Sequence, residues 1–541
     1  MHTRMSLGRH RGSRRTALAA IISTLPCFNL ALFLSLAVAR LHAGSATWNL
    51  NPVSGNWNDP TNWTPAAEPN DASDTATFGL SNTTSITLSA GTRLAGMVFN
   101  PGASAFTIAT ANGLGISPSF NFFGAGIVNN SGVIQNFVTA GGGANNGGPG
   151  VFQFRNSATA GSMTNFTSNG AIELSGFGAG YFFFNTASAD HGTFQNKANT
   201  LLGADGGLTV FLGSSSAGNA TFNNYGAFLV DVGAGESGTG GRTQFSNSST
   251  AANGTFINNA GTVSDASGGR TDFYNTSTAG NGTFTSHGAA FVGAFGGVTG
   301  FLDGSNAGTG HFTTNGGAVS GASGAFASFN DTASAGNATF TTNGGAGIGA
   351  LGGETDFFQT STAGNATLIA NAGTAGGNGG SIGFFADSTG GTATVKVFGN
   401  GKLDISAHNA PGVTVGSIEG TGTVFLGGRL LTVGSNNQST TFSGTIQDGG
   451  SGGGSAGSLI KVGTGALTLS GVNTYTGATA VNGGALIVNS TLDLASAVSV
   501  ESGARLGGVG SANGAVTVKN GGILAPARWP RRAPSRWVRS C

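Results

Sequence analysis

A phenylalanine returns along this chain at nearly fixed intervals. In "FYNTSTAGNGTF" it opens and closes the stretch from Phe273 to Phe284, and near copies begin at Phe211, Phe245 and Phe329. The leading residue recurs at Phe154, Phe183, Phe211, Phe245, Phe273, Phe301, Phe329, Phe357 and Phe384. The spacing is mostly about 28 residues, and a period this regular means a solenoid or an array. A second apolar column follows about eleven positions later, at Phe194, Phe222, Phe256, Phe284, Phe312, Phe340, Leu368 and Val395, and slips by one to Phe166 in the first repeat. Propeller blades usually need about 40–50 residues, so a shorter unit argues for a solenoid.

Each unit carries three short strand-like segments. In the fifth they are "TDFYN", "GTFTS" and "AAFVGAF", separated by Gly, Asn and Ser clusters that mark turns. No unit can bury its own Phe pair. Stacked as coils of a right-handed parallel β-helix, each strand pairs with its copy about 4.8 Å above and below, and the Phe columns become interior ladders. Each buried Phe then contributes roughly 1.5–3 kcal/mol, which lets a chain with 99 Gly offset its ordering entropy. Nine such coils span roughly 40 Å. Composition agrees. Gly opposes helix, and 38 Phe against 4 Tyr and 5 Trp suits an interior where a hydroxyl would need a partner. With 8% charged residues and a net charge of +1, the chain lacks the basic face that a nucleic-acid partner wants.

The two ends differ from the body. Residues 1–43 join a basic "MHTRMSLGRHRGSRR" to an apolar "TALAAIISTLPCFNLALFLSLAVA", and read as a signal peptide cut after Ala43. An uncleaved signal anchor is the alternative, and Arg14-Arg15 is a loose twin-arginine match. No later segment is apolar for long enough to span a membrane as a helix, so no span is expected after signal removal. The two Cys, Cys27 and Cys541, lie at the extremes, so disulfides do not fasten the body.

Candidate chemistry is sparse. Asn219, Asn253, Asn281, Asn337 and Asn365 are Asn-x-Thr triplets, read either as glycosylation acceptors or, in preference, as an Asn ladder at a corner. Asp303 and Asp331 occupy another turn column without the recurring pattern of calcium rolls. His191, His287 and His311 fall in different columns and do not converge on a metal. Arg270 with Asp272, and Glu354 with Asp356, flank leading Phe residues on an outward face and read as solvated surface charges, as do Arg242 and Arg270 in adjacent coils. Trp48, Trp57 and Trp63 suit a cap over the open end of the solenoid, or else a carbohydrate platform. No catalytic, cofactor-binding or metal-binding residue is assigned, and no cofactor is expected.

The stretch "GTGALTLSGVNTYTGATAVNGGALIV", Gly463 to Val488, resembles the autotransporter-associated β-strand repeat at nearly every position. "ESGARLGGVGSANGAVTVKNGGILAP" continues in its style, and the N-terminal "TWN…GNWNDPTNWTP" is similar to the start of many such passengers. The strict match is confined to Gly463–Val488, and the looser one extends over the C-terminal part of the chain. The resemblance implies a bacterial, secreted, passenger-type β-helix with no family catalytic residues to carry over. It implies that Leu467 and Leu469 face the core while Asn473, Tyr475 and Gly477 shape a turn.

The expected organisation is a signal peptide at 1–43, a cap and first coils at 44–150, Phe-rich repeats at 151–400 and the autotransporter-associated region at 401–527. The last stretch, 528–541, holds five Arg, two Trp and no Gly, and reads as out-of-frame translation or else as a basic tail for an anionic surface. The expected role is adhesion or surface structure without catalysis, outside the cell or on the outer-membrane surface, and periplasmic if a translocator is missing. Glycans, or a host or neighbouring cell surface, are the expected partners. A polysaccharide-acting β-helix enzyme and a structural envelope layer are the alternatives. The enzyme requires three or more charged side chains converging on one sheet face.

Overall fold

The computed structural model describes residues 44–111, 117–143, 147–173, 176–199, 204–228 and 239–526. The expected signal peptide and the basic tail lie outside the described residues. Among the described residues, strands dominate, the one helical element is a 3-10 turn at Pro60–Asn62, and no helix is long and apolar enough to cross a membrane.

The chain folds as a parallel β-helix. Each Phe-bearing unit supplies one strand to a first sheet and one to a second, and every strand lies parallel to its copy in the next coil. In the first sheet Phe245 stands beside Phe273, and Phe273 beside Phe301. In the second, Phe256 stands beside Phe284, and Phe284 beside Phe312. Strand alternation turns both columns inward, because successive side chains point to opposite faces. Rings stack along the second column at 4.4–4.9 Å between Phe194 and Phe340. Within a coil the two Phe meet edge to face, as Phe273 and Phe284 do at 5.7 Å and 72°. Both geometries are ones that the aromatic quadrupole favours.

The third line of pairing is not where the sequence suggests. The segment "AAFVGAF" is a turn, with Phe291, Val292 and Phe295 exposed. Instead the polar stretch between the two Phe carries isolated parallel bridges, Thr250 to Thr278 to Asn306 to Ser334. Small residues there let the chain double back tightly, so Ala279 and Ser277 point into the core. Apolar content alone misled the expectation.

A second interior feature accompanies the Phe. Two residues after the second-sheet Phe come Asn196, Asn224, Asn258, Ser286, Thr314 and Thr342, all buried. Two residues before the first-sheet Phe come Thr209, Thr243, Thr271, Thr299 and Thr355, also buried. Asn224 Nδ2 donates to Asn258 Oδ1 at 2.8 Å and to Thr271 Oγ1 at 3.1 Å, while Thr243 Oγ1 donates to Asn224 Oδ1 at 2.9 Å. The columns pair with each other, so buried polar atoms are satisfied coil by coil. The sheets approach so closely here that a Cβ on Gly269 would sit 2.1 Å from the Asn224 carbonyl oxygen. Only glycine fits.

Two ladders lie at the turns. Two residues past each leading Phe the backbone is left-handed, at φ 57° for Asn275, 56° for Asp303 and 54° for Asp331. Asn and Asp tolerate this conformation better than most residues. Each side chain also accepts from the backbone N–H one coil earlier: Asn247 N–H donates to Asn275, Asn275 to Asp303 at 2.8 Å and Asp303 to Asp331 at 3.2 Å. At the other corner Asn253 donates to Asn219 at 3.1 Å, Asn281 to Asn253 at 3.2 Å and Asn365 to Asn337 at 3.1 Å. The Asn-x-Thr column therefore forms the expected corner ladder.

The end near residue 44 is closed by tryptophan. Trp48, Trp57 and Trp63 are buried, with Trp57 and Trp63 edge to face at 4.7 Å and Trp57 against Phe120 at 4.9 Å. Buried rings cannot serve as a carbohydrate platform. Strand Ala46–Trp48 runs parallel to Thr75–Phe78, and Trp63–Thr64 pairs antiparallel to it, so the reversed strand covers the sheet edge.

After Phe384 the cross-section changes. Aliphatic residues take over the core, Leu403, Ile418, Val424, Leu467, Leu469 and Leu486 among them. A third parallel sheet appears, from Gly412–Val415 to Val516–Val518. Thr479 pairs with Val498 and Val498 with Val516, so the coils here are shorter than in the Phe section. Leu467 and Leu469 face the core, as the resemblance implies. Asn473 accepts from Ile446 N–H and donates to Gly471 O at 2.8 Å, Tyr475 is buried with its hydroxyl 2.6 Å from Thr479 Oγ1, and a Cβ on Gly477 would meet the Gly457 carbonyl at 2.4 Å. All three fix the turn.

Candidate functional site

The outward positions of the two long sheets differ in kind. On the second sheet one outward column repeats, Thr193, Thr221, Thr255, Thr283, Thr339, Thr367 and Thr394, broken by His311, while its neighbour is mostly uncharged, from Gln195 and Asn223 to Ile369, until Lys396. On the first sheet the equivalent column reads Leu208, Arg242, Arg270, Val298, Phe326, Glu354, Ser381 and Lys402. Stacking alone does not demand such variety, so this face is where the repeat is adapted.

The first cluster joins Arg242, Arg270, Asp272 and Tyr274. Arg242 Nε donates to Asp272 Oδ2 at 2.9 Å, Arg270 Nε to Asp272 Oδ1 at 2.6 Å, and Arg242 to the Tyr274 hydroxyl at 2.6 Å. The Asp272 side chain is wholly buried under these groups. The expectation of solvated surface charges is therefore wrong for Asp272, while Arg242 and Arg270 stay partly exposed above it. An outward short carboxylate is overlaid by long side chains from its own and the preceding coil, one strand spacing away. Gly300 leaves the space, since a Cβ there would stand 2.7 Å from Asp272 Oδ1. Two guanidinium donors on one carboxylate make strong, charge-assisted bonds, while the side chains of Arg242 and Arg270 stay 36% and 43% exposed and keep further N–H groups free of Asp272.

The second cluster lies three coils on. Asp356 is 7% exposed, again contrary to the solvated reading, and Gly383 in the next coil again makes room. Burial pushes its carboxyl well above the usual carboxylate range; the charges of Glu354 and Asp404 add to this, and Lys402 pulls against it. Asp404 is held by Ser406 N–H at 2.9 Å and Ser451 N–H at 2.8 Å, the latter from the glycine-rich loop after Asp448. Glu354 is exposed and Lys402 half-buried. Beside them runs a groove of roughly 480 Å³ lined by Leu351, Asn378, Glu354, Ser381, Lys402, Thr423 and Phe425. Glu354, Asp356, Lys402 and Asp404 thus converge on one sheet face, which is the arrangement the enzyme alternative requires.

The remaining candidates do not join these clusters. Asp303 and Asp331 belong to the turn ladder. His191 contacts Asp190 Oδ1 at 2.7 Å, His311 stands in the threonine column and His287 follows the strand Thr283–Ser286. Among the described residues no three His, Cys, Asp or Glu side chains could hold a metal ion. The sequence reading missed Lys402 and Asp404. Register alone would have found them, because Glu354, Ser381 and Lys402 occupy one column and Asp356, Gly383 and Asp404 the next.

Residues 459–488 match the passenger-associated-transport-repeat family. That span holds the short coils built on Leu467, Leu469, Tyr475 and Leu486. The chain is also 37% identical over 108 residues to an adhesin described as the BmaC autotransporter, from Brucella suis biovar 1 (strain 1330). The alignment covers 20% of this chain and 3% of that much longer protein. No solved structure matches the chain. The chain is thus a passenger-like repeat protein, with the likeness concentrated in a small part of its length.

Proposed function

Starting from a chain that carries an autotransporter passenger repeat, we propose that it is exported and displayed at, or released from, the bacterial surface, where it adheres through the outward face of its first sheet. One observation carries the reading. Charged departures from the repeat gather on that face, at Arg242, Arg270, Asp272, Glu354, Asp356, Lys402 and Asp404, while the Phe-bearing coils of the second sheet show water a threonine column beside a mostly uncharged one. Adhesion by a solenoid needs a varied surface on an invariant support, and this arrangement supplies both. The test is attachment of beads coated with the full chain to cultured cells. Joint substitution of Arg270, Glu354 and Lys402 by Ala is expected to lower attachment. Joint substitution of Thr283, His311 and Thr339 is expected to leave it unchanged. Equal loss from both sets, or none from either, overturns the reading.

A second reading, a polysaccharide-cleaving passenger, is favoured by buried Asp356 and exposed Glu354 on one strand, since carboxyls in unequal environments are how acid–base pairs are built, and burial raises the Asp356 carboxyl above its ordinary range. The burial of Asp356 counts against it. Release of reducing ends from polysaccharides by the full chain, lost in Glu354→Gln, would establish it.

A further inference from the structure

We infer that the groove between Leu351 and Phe425 is a binding site for an uncharged saccharide. The inference deepens the adhesion reading and rests on it, naming the ligand class. The geometry points this way through four features. The volume, roughly 480 Å³, lies within the range of small-molecule sites. The lining is mixed, with polar Glu354, Ser381, Lys402 and Thr423 beside exposed Leu351 and the half-buried ring of Phe425. A sugar ring is mixed in the same way, with C–H faces for the apolar groups and hydroxyls around its edge.

The polar lining then selects among sugars. Glu354 only accepts and Lys402 only donates, while Ser381 and Thr423 can do either. A hydroxyl both donates and accepts, so a row of them satisfies such a mixed lining where a phosphate or a cation would satisfy half of it. Opposite charges of Glu354 and Lys402 leave the groove near neutral, which disfavours an ionic ligand. Asp356 is buried and takes no part in the lining. The coil repeat supplies the fourth feature. Glu354, Ser381, Lys402 and Thr423 stand in one column on successive strands, so the lining runs across coils and suits an oligomer laid along the stack.

Isothermal titration of the full chain with maltohexaose, chitohexaose, oligogalacturonate and a decapeptide rich in Lys tests the inference. Binding of at least one of the two neutral oligosaccharides is expected. Glu354→Gln and Lys402→Ala, each checked for an unchanged circular dichroism spectrum, are each expected to weaken it about tenfold or more, the loss of one charged hydrogen bond. Phe425→Ala is expected to weaken it as well without altering adhesion by the Arg242 end of the face. Binding of neither neutral oligosaccharide overturns the inference, as does binding that all three variants leave intact. Binding confined to oligogalacturonate or to the peptide overturns the ligand class. Bead attachment, run in parallel, separates the two levels: attachment that persists in Glu354→Gln leaves adhesion standing and the groove refuted as its site. Saccharide binding without any attachment refutes adhesion alone.

Discussion

The Phe-rich coils and the aliphatic coils after Phe384 solve one problem in two ways. In the first, each coil, such as the one from Phe273 to Phe301, closes around two stacked rings. The width those rings impose leaves interior positions that Asn224, Asn258, Thr243 and Thr271 fill with a hydrogen-bonded ladder. In the second, Leu and Val need less room, the coils shorten, and a third sheet of regular strands replaces the polar bridges. The transition is gradual along the columns. Phe340 gives way to Leu368 and then Val395, and Thr342 to Ala370 and then Val397. The size of the rung sets the girth of the coil, and girth decides whether polar groups must be housed inside.

The strongest test of that contrast is removal of a rung. Phe284 stacks on Phe256 at 4.6 Å and on Phe312 at 4.5 Å. Phe284→Ala is expected to cost about 3–5 kcal/mol, with hydrogen-exchange protection lost in the flanking coils and kept in distant ones. Phe284→Leu sharpens the point. A swap that keeps core volume, such as Leu486→Met in the aliphatic coils, usually costs at most about 1.5 kcal/mol. If stacking adds to burial, Phe284→Leu should cost more than that. Next comes the polar ladder. Asn224→Ala leaves Thr243 and Asn196 without their acceptor and is expected to cost about 1–3 kcal/mol in denaturant unfolding. A double-mutant cycle with Thr271→Val should show coupling, which no residue of the Leu486 column would.

A smaller effect is expected at Tyr475, the buried hydroxyl of the aliphatic section. Tyr475→Phe should cost about 0.5–1.5 kcal/mol at neutral pH through the lost bond to Thr479. Burial pushes the phenol up to about 12, from an ordinary value near 10. The folded form therefore holds its proton where the unfolded form has released it, and stability falls as pH rises through that window. Unfolding curves of Tyr475→Phe should lack this component of the alkaline decline. The smallest effect is expected at His311, in the outward threonine column, where His311→Thr should change stability by less than about 0.5 kcal/mol. A larger change would mean that the second sheet's surface is not the passive one.

What was legible in the sequence was what repeats. The Phe columns, the corner ladder of Asn281 and Asn253 and the tryptophan cap followed from period and residue type, and the inward Leu467 from the resemblance to a known repeat. Errors came where neighbours in space decide. Asp272 looks solvated on its own strand and is buried by Arg242, which belongs to the coil before. Phe291 looks like a strand residue by composition, but the parallel bridges fall on Thr278, whose small neighbours permit a tighter course. The inward Asn224 was hidden because "TFNN" reads as polar and therefore exposed. Its alternation with Phe222 carried the opposite message.

Because Phe245, Phe273, Phe301 and Phe329 make the same contacts with the coils on either side, the Phe section has interchangeable joints. Excising residues 274–301 would join Phe273 to Leu302 and set the ring of Phe273 where that of Phe301 now meets Phe329. Unequal crossing-over between two such copies would shorten or lengthen the stack by a whole coil while leaving every remaining contact of familiar type. Inheritance can therefore adjust the length of this molecule in discrete steps, and can move the two charged clusters of the first sheet nearer to or farther from either end of the stack without redesigning them.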